Sequence, residues 1–355
     1  MTAQAQAHEQ PRPRAAATTD DLAARLHSWC TTRLGASAQS RIEDLARHAE
    51  GWSWHTYTFT LRDGGTSRGI AIRRQPEDGL LAPYDIDAQY RLHETLEQRT
   101  SVPIPALIAL EHDTTVLGMP FYAMERIAGR VPVQWKPKDP DVFPTDDARR
   151  ALGEQFVAIL AAIHDTDTAP LDFLPGASDP LGATLTQLAR WRTMYETSVL
   201  VAEPLLLHAF DWLAANVPAP VRTGLCHGDY RIGNFIVDEG RIVTILDWEL
   251  AHVGDVASDV AWAALPLFRG RSPLYSHLLT HDDFLAVYER NGGPAIGAES
   301  FTYWTIFNLV KAAVPHIRAA RAFEDGGSND LRLAAMGHQA VHIYKHLIAA
   351  LEGVR

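Results

Sequence analysis

The stretch "LCHGDYRIGNFIVDEGRIVTILDWEL", residues 225–250, decides how the rest of the chain is read. "NFIV" and "RIVTIL" are strand-like runs, and "DEG" between them supplies a glycine-bearing turn. Paired as a hairpin, the runs carry the chain out and back, so Asp247 returns beside the segment that launched the first strand. Asp229 and Asn234 lie in that segment. Carboxylate and amide oxygens gathered in one place suit a hard cation such as Mg²⁺, commonly shared between one or two protein ligands and phosphates. A spare carboxylate can accept the proton of an attacking hydroxyl. Asp and Asn also favour turns for purely local reasons, and for Asn234 alone that explanation serves as well.

Composition narrows the field. A chain of 355 residues can bury a large core and fill two lobes. With 46% apolar and 21% charged residues it has the make-up of a soluble globular protein. Its formal charge of −11 argues against nonspecific DNA or RNA binding. Cys30 and Cys226 stand far apart, which excludes a disulfide framework, disfavours a cysteine zinc site and fits a cytoplasmic setting. No apolar run reaches membrane-spanning length, so no membrane partner is expected. Residues 1–20, rich in Ala, Gln and Pro and lacking an apolar signal core, read as a disordered leader. The 16 histidines show neither HExxH nor Cys/His ligand spacing.

Along the chain, a helix is expected over roughly 21–34, strands over 45–75 with "DGG" (63–65) as a turn, and a helix over 85–98. Two more strands joined by a turn fall within 102–129. The proline-rich "VPVQWKPKDPDVFPTD" (131–146) suits neither helix nor central strand. Helical spacing then dominates, in "ALGEQFVAILAAIHDTD" and near 181–197, 203–216, 256–265, 281–291, 300–320 and 329–352, with Pro315 expected to kink or interrupt its helix. The expected division is a leader to 20, a nucleotide-binding lobe over 21–127 and a catalytic and substrate-binding lobe over 128–355.

Asp229 and Asn234 stand in "HGDYRIGN" (227–234), the Asp-x4-Asn separation of a kinase catalytic loop, and a hairpin with a further Asp completes that pattern. "HGDYRIGNFIV…ILDWELAHVGDVASDVAW" resembles the signature block of the aminoglycoside phosphotransferase-like small-molecule kinases. The resemblance runs from about residue 45 to 350. Its "LDWE…GD…D.AW" is similar to the branch that includes kinase-like domains associated with acyl-CoA dehydrogenases. The resemblance implies an α+β, protein-kinase-like fold, with a small antiparallel β N-lobe carrying one helix and a larger, mainly helical C-lobe. It implies Asp229 as base or positioning group, and Asn234 and Asp247 as holders of Mg²⁺ on the phosphates of ATP. His227 then holds the loop, Cys226 is a small buried group, and Trp248 packs. Glu249 faces the substrate. Asp255 and Asp259 suit a cap and first turn before "VAWAAL".

On the nucleotide side, "GIAIRRQP" (69–76) places Arg73 where V-A-I-K has its phosphate-binding lysine, and a guanidinium can grip phosphate oxygens bidentately. Where the family has Arg-Glu-Tyr, this chain has Ala88-Gln89-Tyr90, so Gln89 accepts a hydrogen bond from Arg73 without adding charge, and Asp85 is a possible substitute. "GWSWHTYTF" (51–59) keeps Gly51 alone where the family has a pair; Ser53 and the loop amides can still reach a phosphate, while Trp52 and Trp54 pack the lobe or lie against substrate. "FYAMERIAG" (121–129) makes Met124 the gatekeeper, with the backbones of Glu125 and Ile127 facing an adenine edge.

The acceptor expected is a small hydroxylated molecule, an antibiotic or another metabolite, with Tyr303, Trp304, Asn308 and Lys311 as candidate contacts. A kinase-shaped module that no longer transfers phosphate is the alternative, supported by Gln89 and the tryptophan-bearing loop. A metal-dependent phosphatase or nuclease fits the spacing less well.

Overall fold

In the computed structural model, which describes residues 19–48, 53–77 and 79–354, helix α1 (Thr19–Arg33) precedes strands β1 (Arg41–His48), β2 (His55–Asp63) and β3 (Thr66–Arg74). The β2–β3 register closes on Asp63 opposite Thr66. The expected "DGG" turn therefore has Gly64 and Gly65 at its tip, and Gly64 sits at φ 58, where a side chain would be strained. Helix α2 (Ile86–Arg99), β4 (Leu107–Glu111), the short α3 (Thr114–Leu117) and β5 (Phe121–Glu125) follow. The sheet runs β1-β2-β3-β5-β4 with every neighbour antiparallel. A helical turn, not a plain turn, joins β4 to β5: Asp113 accepts the Thr115 N–H at 2.8 Å and Gly118 ends the turn in the left-handed region.

Alternation along β3 sorts its side chains between two faces. Ile70 and Ile72 join Phe59 and Phe121 under Leu26, Trp29 and Cys30 of α1, while Ala71 joins Met124, Tyr122, Trp54 and Ile86 on the other face. Burial pushes the Cys30 thiol up to about 12, so it behaves as a small apolar group.

After the proline-rich connector come α4 (Asp146–His164), α5 (Ala183–Ser198) and α6 (Pro204–Ala215). Strands β6 (Thr223–Cys226), β7 (Phe235–Asp238), β8 (Arg241–Ile245) and β9 (His252–Asp255) precede α7 (Ala257–Ala263), α8 (His281–Arg290), α9 (Ala298–Glu324) and α10 (Leu331–Glu352). β7 and β8 form the expected hairpin, with Glu239 and Gly240 both at positive φ in its turn. β6 and β9 form a second antiparallel pair that the alternation of the sequence had not suggested. Pro315 does not interrupt α9, which runs unbroken through it. Burial of Val310, Ala313, Val314 and Ala319 around the proline offsets its lost hydrogen bond. No described helix is long and apolar enough to cross a membrane.

Phe156 of α4 ties this core to the opening stretch. Its ring stacks on Tyr230 with centroids 4.3 Å apart, and the Tyr230 hydroxyl donates to the Phe156 carbonyl at 2.7 Å. Phe156→Ala is therefore expected to cost about 3–5 kcal/mol, against less than about 0.5 kcal/mol for Leu181→Ala, whose side chain is exposed. Urea unfolding measures both, and equal effects would contradict this packing.

Candidate active site

The segment from His227 to Asn234 leaves β6 and lies buried against α7 and α9, so its backbone needs internal partners. Asp259 of α7 supplies two: its carboxylate accepts the His227 N–H at 2.6 Å and the Gly228 N–H at 2.9 Å. His164 Nε2 lies 3.3 Å from the same carboxylate, and His164 Nδ1 faces the Tyr288 hydroxyl at 2.6 Å. Burial alone would raise the Asp259 carboxyl, but the hydrogen bond and attraction of His164 hold it far below the usual range. Gly228 has φ 83, and a Cβ there would lie 2.2 Å from the Leu250 carbonyl oxygen, so only glycine fits.

His227 holds the loop to the hairpin. Its Nε2 donates to the Leu246 carbonyl at 2.9 Å while Nδ1 accepts the Asp229 N–H at 3.1 Å, which fixes the tautomer. Burial lowers its pKa, so the ring stays neutral.

Asp229 is held at both oxygens. Oδ1 accepts from Trp262 Nε1 at 2.8 Å and Arg231 Nε at 3.0 Å; Oδ2 accepts from Asn234 Nδ2 at 2.6 Å. Asn234 Nδ2 also donates to the Asp229 carbonyl at 2.8 Å. Both partners are acceptors only, so the amide nitrogen must face them and Oδ1 is turned the other way. The Leu246 N–H donates to the Asn234 carbonyl at 2.8 Å, which brings Asp247 back beside the loop as the hairpin reading required. Asp247 itself sits in the left-handed region at φ 68, a strained position for a non-glycine residue.

Three elements of the N-terminal part grip three successive residues here. Arg73 Nη2 donates to Asp247 Oδ1 at 2.9 Å, Gln89 Nε2 to the Trp248 carbonyl at 3.3 Å, and Ser53 Oγ to Glu249 Oε1 at 3.0 Å. Burial would raise the Asp247 carboxyl; the charge and hydrogen bond of Arg73, helped by Arg231 and His227, hold it below the usual carboxylate range. Burial, with the charges of Asp247 and Asp229, pushes Glu249 up to about 8 against the opposing pull of Arg73 and Ser53.

Several sequence expectations change. Gln89 does not bond Arg73; its amide nitrogen donates to the Trp248 carbonyl instead. Asp85 is no substitute, since it caps α2 by accepting the Ala88 N–H at 2.9 Å. Asp259 clamps the loop instead of capping α7. Glu249 meets Ser53 on the N-terminal side. The four candidate acceptor contacts on α9 are all buried. Tyr303 donates to the Leu213 carbonyl, Trp304 to Asp255 Oδ2, Asn308 to the Ser258 carbonyl and Lys311 to the Gly228 carbonyl. Buried polar groups need partners, and these four find theirs on α6, β9, α7 and the loop after β6. Gly51 lies outside the described residues. Met124 joins Arg73, Leu246 and Asp247 around a cavity of about 20 Å³. Glu125 is exposed and Ile127 partly so, and the Glu125 N–H is spent on the Ala106 carbonyl at 2.9 Å. Trp262 and Arg231 are residues without a role in the sequence reading, and Asp259 is one it suits to a helix start.

The donor set fits Mg²⁺ on a nucleotide. Asn234 Oδ1 is turned away from Asp229, Arg73 takes one Asp247 oxygen, and Arg73 Nε is buried without a partner. Among the described residues no group of three or more His, Cys, Asp or Glu could hold a metal, so an ion held by Asn234 and Asp247 would need further ligands from outside the protein. Behind the loop, Gln187, Arg190, Trp191, Leu250, His252 and Lys311 line a cavity of about 50 Å³.

A phosphotransferase enzyme family model matches residues 44–293. The chain is 27% identical over 293 residues to the probable acyl-CoA dehydrogenase IBR3 of Arabidopsis thaliana, covering 76% of this chain and 35% of that protein. It spans about a quarter to a third of the length of the curated relatives it matches. A Ralstonia eutropha protein provisionally designated an aminoglycoside phosphotransferase superposes with TM-score 0.71 at 22% identity, covering 93% of this chain and 98% of that one. A thermostable variant of the aminoglycoside phosphotransferase APH(4)-Ia, solved as a ternary complex with ADP and hygromycin B, gives TM-score 0.53 at 18% identity over 90% of this chain and 98% of that one. At these identities the solved structures establish the fold, an α+β two-lobe kinase-like architecture.

Two buried histidines around the site make stability fall with acid. Burial lowers His93 and His252 from 6.5 to about 4. The unfolded chain therefore binds these protons first, so their contribution is full above pH 6.5 and is lost as pH falls toward 4, up to about 3 kcal/mol for each. Urea midpoints between pH 7 and 4.5 should fall, and His93→Gln should flatten the slope; a flat wild-type profile would contradict these neutral rings.

Proposed function

The chain belongs to the phosphotransferase enzyme family, and from that premise we propose that it is an ATP- and Mg²⁺-dependent kinase acting on a hydroxyl of a small molecule. The observation that carries this reading is the arrangement of three oxygen-bearing side chains. Asp229 is aimed by Trp262, Arg231 and Asn234, the Asn234 amide oxygen is turned away from it, and Asp247 is only half engaged.

Asp229 orients the acceptor hydroxyl and receives its proton as the phosphoryl group arrives. Its remaining acceptor capacity serves that proton, because three donors already fix the direction of the carboxylate. Arg231 lies against the Phe268 ring, 5.1 Å from its centroid, and offsets the carboxylate charge beside the incoming phosphate. Asn234 and Asp247 would hold Mg²⁺, which when bound neutralises charge on the transferring phosphoryl group. Arg73 exchanges Asp247 for phosphate oxygens, using the fork geometry of its guanidinium. A Glu249 carboxyl near pH 8 stays largely protonated at neutral pH and adds no full negative charge beside the phosphates. Ser53 covers the phosphates. Met124 lies behind the base, and with the Glu125 N–H spent, the Glu125 carbonyl and Ile127 N–H face the adenine edge. The ADP and hygromycin B complex of the similar structure supports a nucleotide and a small-molecule acceptor sharing such a site.

Residues 21–127 and 128–355 would be the two lobes that meet at this site. The acceptor class is a hydroxylated small molecule, an antibiotic or another metabolite, with aminoglycosides one candidate among several. Two buried free thiols fit a reducing, cytoplasmic setting.

A panel of hydroxylated acceptors with Mg-ATP, followed by ADP release and product mass, tests the reading. Asp229→Asn should lower turnover about 10²–10⁴-fold with nucleotide affinity little changed. Asp247→Asn should abolish the Mg²⁺-dependent rise in melting temperature on adding ATP. Undiminished transfer by Asp229→Asn would remove the proposed role.

A further inference from the structure

We infer that Lys311 is a positioning residue for phosphoryl transfer, setting the Gly228–Asp229 peptide and through it the Asp229 carboxylate. This rests on the role proposed above for Asp229. Three observations carry it. Lys311 is 6% exposed, and its ammonium donates to the Gly228 carbonyl. The N–H of that same planar peptide unit donates to His227 Nδ1. Both polar ends of the peptide that leads into Asp229 are therefore held, one by α9 and one by His227.

The second support is the side-chain one. Lys311 Nζ lies 4.3 Å from the Trp262 ring centroid, and Trp262 Nε1 donates to Asp229 Oδ1. One ammonium thus touches the main-chain support of Asp229 and the indole that aims its carboxylate. Asp229, Asp259 and Cys226 face it from the loop and α7 sides, with Arg190 opposing from α5.

A merely stabilising role explains the residue poorly. Burying an ammonium is unfavourable, and burial accordingly depresses its pKa. A methionine would fill the space on α9 without that cost. What the ammonium adds is a directed hydrogen bond to a carbonyl one residue before the reacting carboxylate. Displacements of about 1 Å at such a centre cost on the order of 100-fold in rate.

The face of α9 supports the same conclusion. Trp304, Asn308 and Lys311, at i, i+4 and i+7, share one side of the helix. They bond Asp255, Ser258 and Gly228 in turn. Of the three, Lys311 alone reaches the loop that carries Asp229.

The test uses the full chain and Mg-ATP, with water as one acceptor and, as a second, a hydroxylated compound selected by the panel above. Wild type, Asp229→Asn, Lys311→Met and Lys311→Arg are compared for kcat, KM for Mg-ATP, Mg-ADP affinity and melting temperature. Lys311→Met should lose about 10- to 100-fold in kcat, with KM for Mg-ATP and Mg-ADP affinity within about threefold of wild type. Lys311→Arg, which keeps a charged donor, should recover most of that loss. If Lys311→Met does not fold, Lys311→Gln takes its place: a lowered kcat at unchanged KM for Mg-ATP supports positioning, and wild-type kcat, or kcat and KM worsening together, overturns it. Wild-type kcat in Lys311→Met, with Asp229→Asn inactive, would overturn the role of the lysine alone. Wild-type kcat in Asp229→Asn would overturn the premise and this inference with it.

Discussion

Two backbone N–H groups of a buried loop must find an acceptor, and the Asp259 carboxylate is that acceptor. Much of the site follows from this bond pair. It requires α7 to start beside the loop, which the antiparallel β6–β9 pairing achieves by laying Asp255 opposite Thr223. It requires a buried carboxylate to stay ionised, which His164 and the hydroxyl of Tyr288 behind it make possible. It also presses the chain at Gly228 against the Leu250 carbonyl, in a conformation open to glycine. With the loop fixed, the next residue, Asp229, projects in one direction, and Trp262 from the same helix as Asp259 receives it.

The second constraint runs between the sheet and the hairpin. Asp247, Trp248 and Glu249 are each bonded by a different element of the N-terminal part, through Arg73, Gln89 and Ser53. Arg73 matters most, because its partner is the carboxylate proposed to hold the metal. The Arg73–Asp247 ion pair satisfies two charges that a nucleotide with its cation would otherwise satisfy. A ligand bringing phosphate to Arg73 and a divalent ion to Asp247 replaces both halves of the pair at once, which couples the two binding events.

Much of this was legible in the sequence. "HGDYRIGN" and the hairpin after it located the loop, and the β-branched alternation of "HTYTFTLRDGGTSRGIAIRR" located β2 and β3. Apolar spacing located most of the helices after residue 146. What failed had a common physical cause: side-chain direction in a crowded interior is set by neighbours remote in sequence. Asp259 was read in "GDVASDVAW" as local helix chemistry and Trp262 had no reading, since nothing in their spacing reports a loop far earlier in the chain. Gln89 was matched to Arg73 by analogy, but a neutral amide on α2 satisfied the nearer Trp248 carbonyl instead. The α9 residues carried no signal of their burial. Ile306, Phe307, Leu309, Val310 and Val314 share one side of that helix, so Asn308 and Lys311 on the other side read as a polar face, although both are buried in the fold. Arg73, matched to the lysine of V-A-I-K, lies on β3 opposite the hairpin and pairs with Asp247, on a face that β-strand alternation fixes.

The most direct measurement is a crystal structure of the chain with Mn²⁺, as an oxygen-preferring stand-in for Mg²⁺, and a non-hydrolysable ATP analogue. The account predicts anomalous density between the Asn234 amide oxygen and the Asp247 carboxylate, with Arg73 moved from Asp247 onto a phosphate. The Asp229 carboxylate should remain bonded to Trp262, facing the terminal phosphate. A nucleotide bound with Arg73 still paired to Asp247, and with no metal at Asn234, would contradict it.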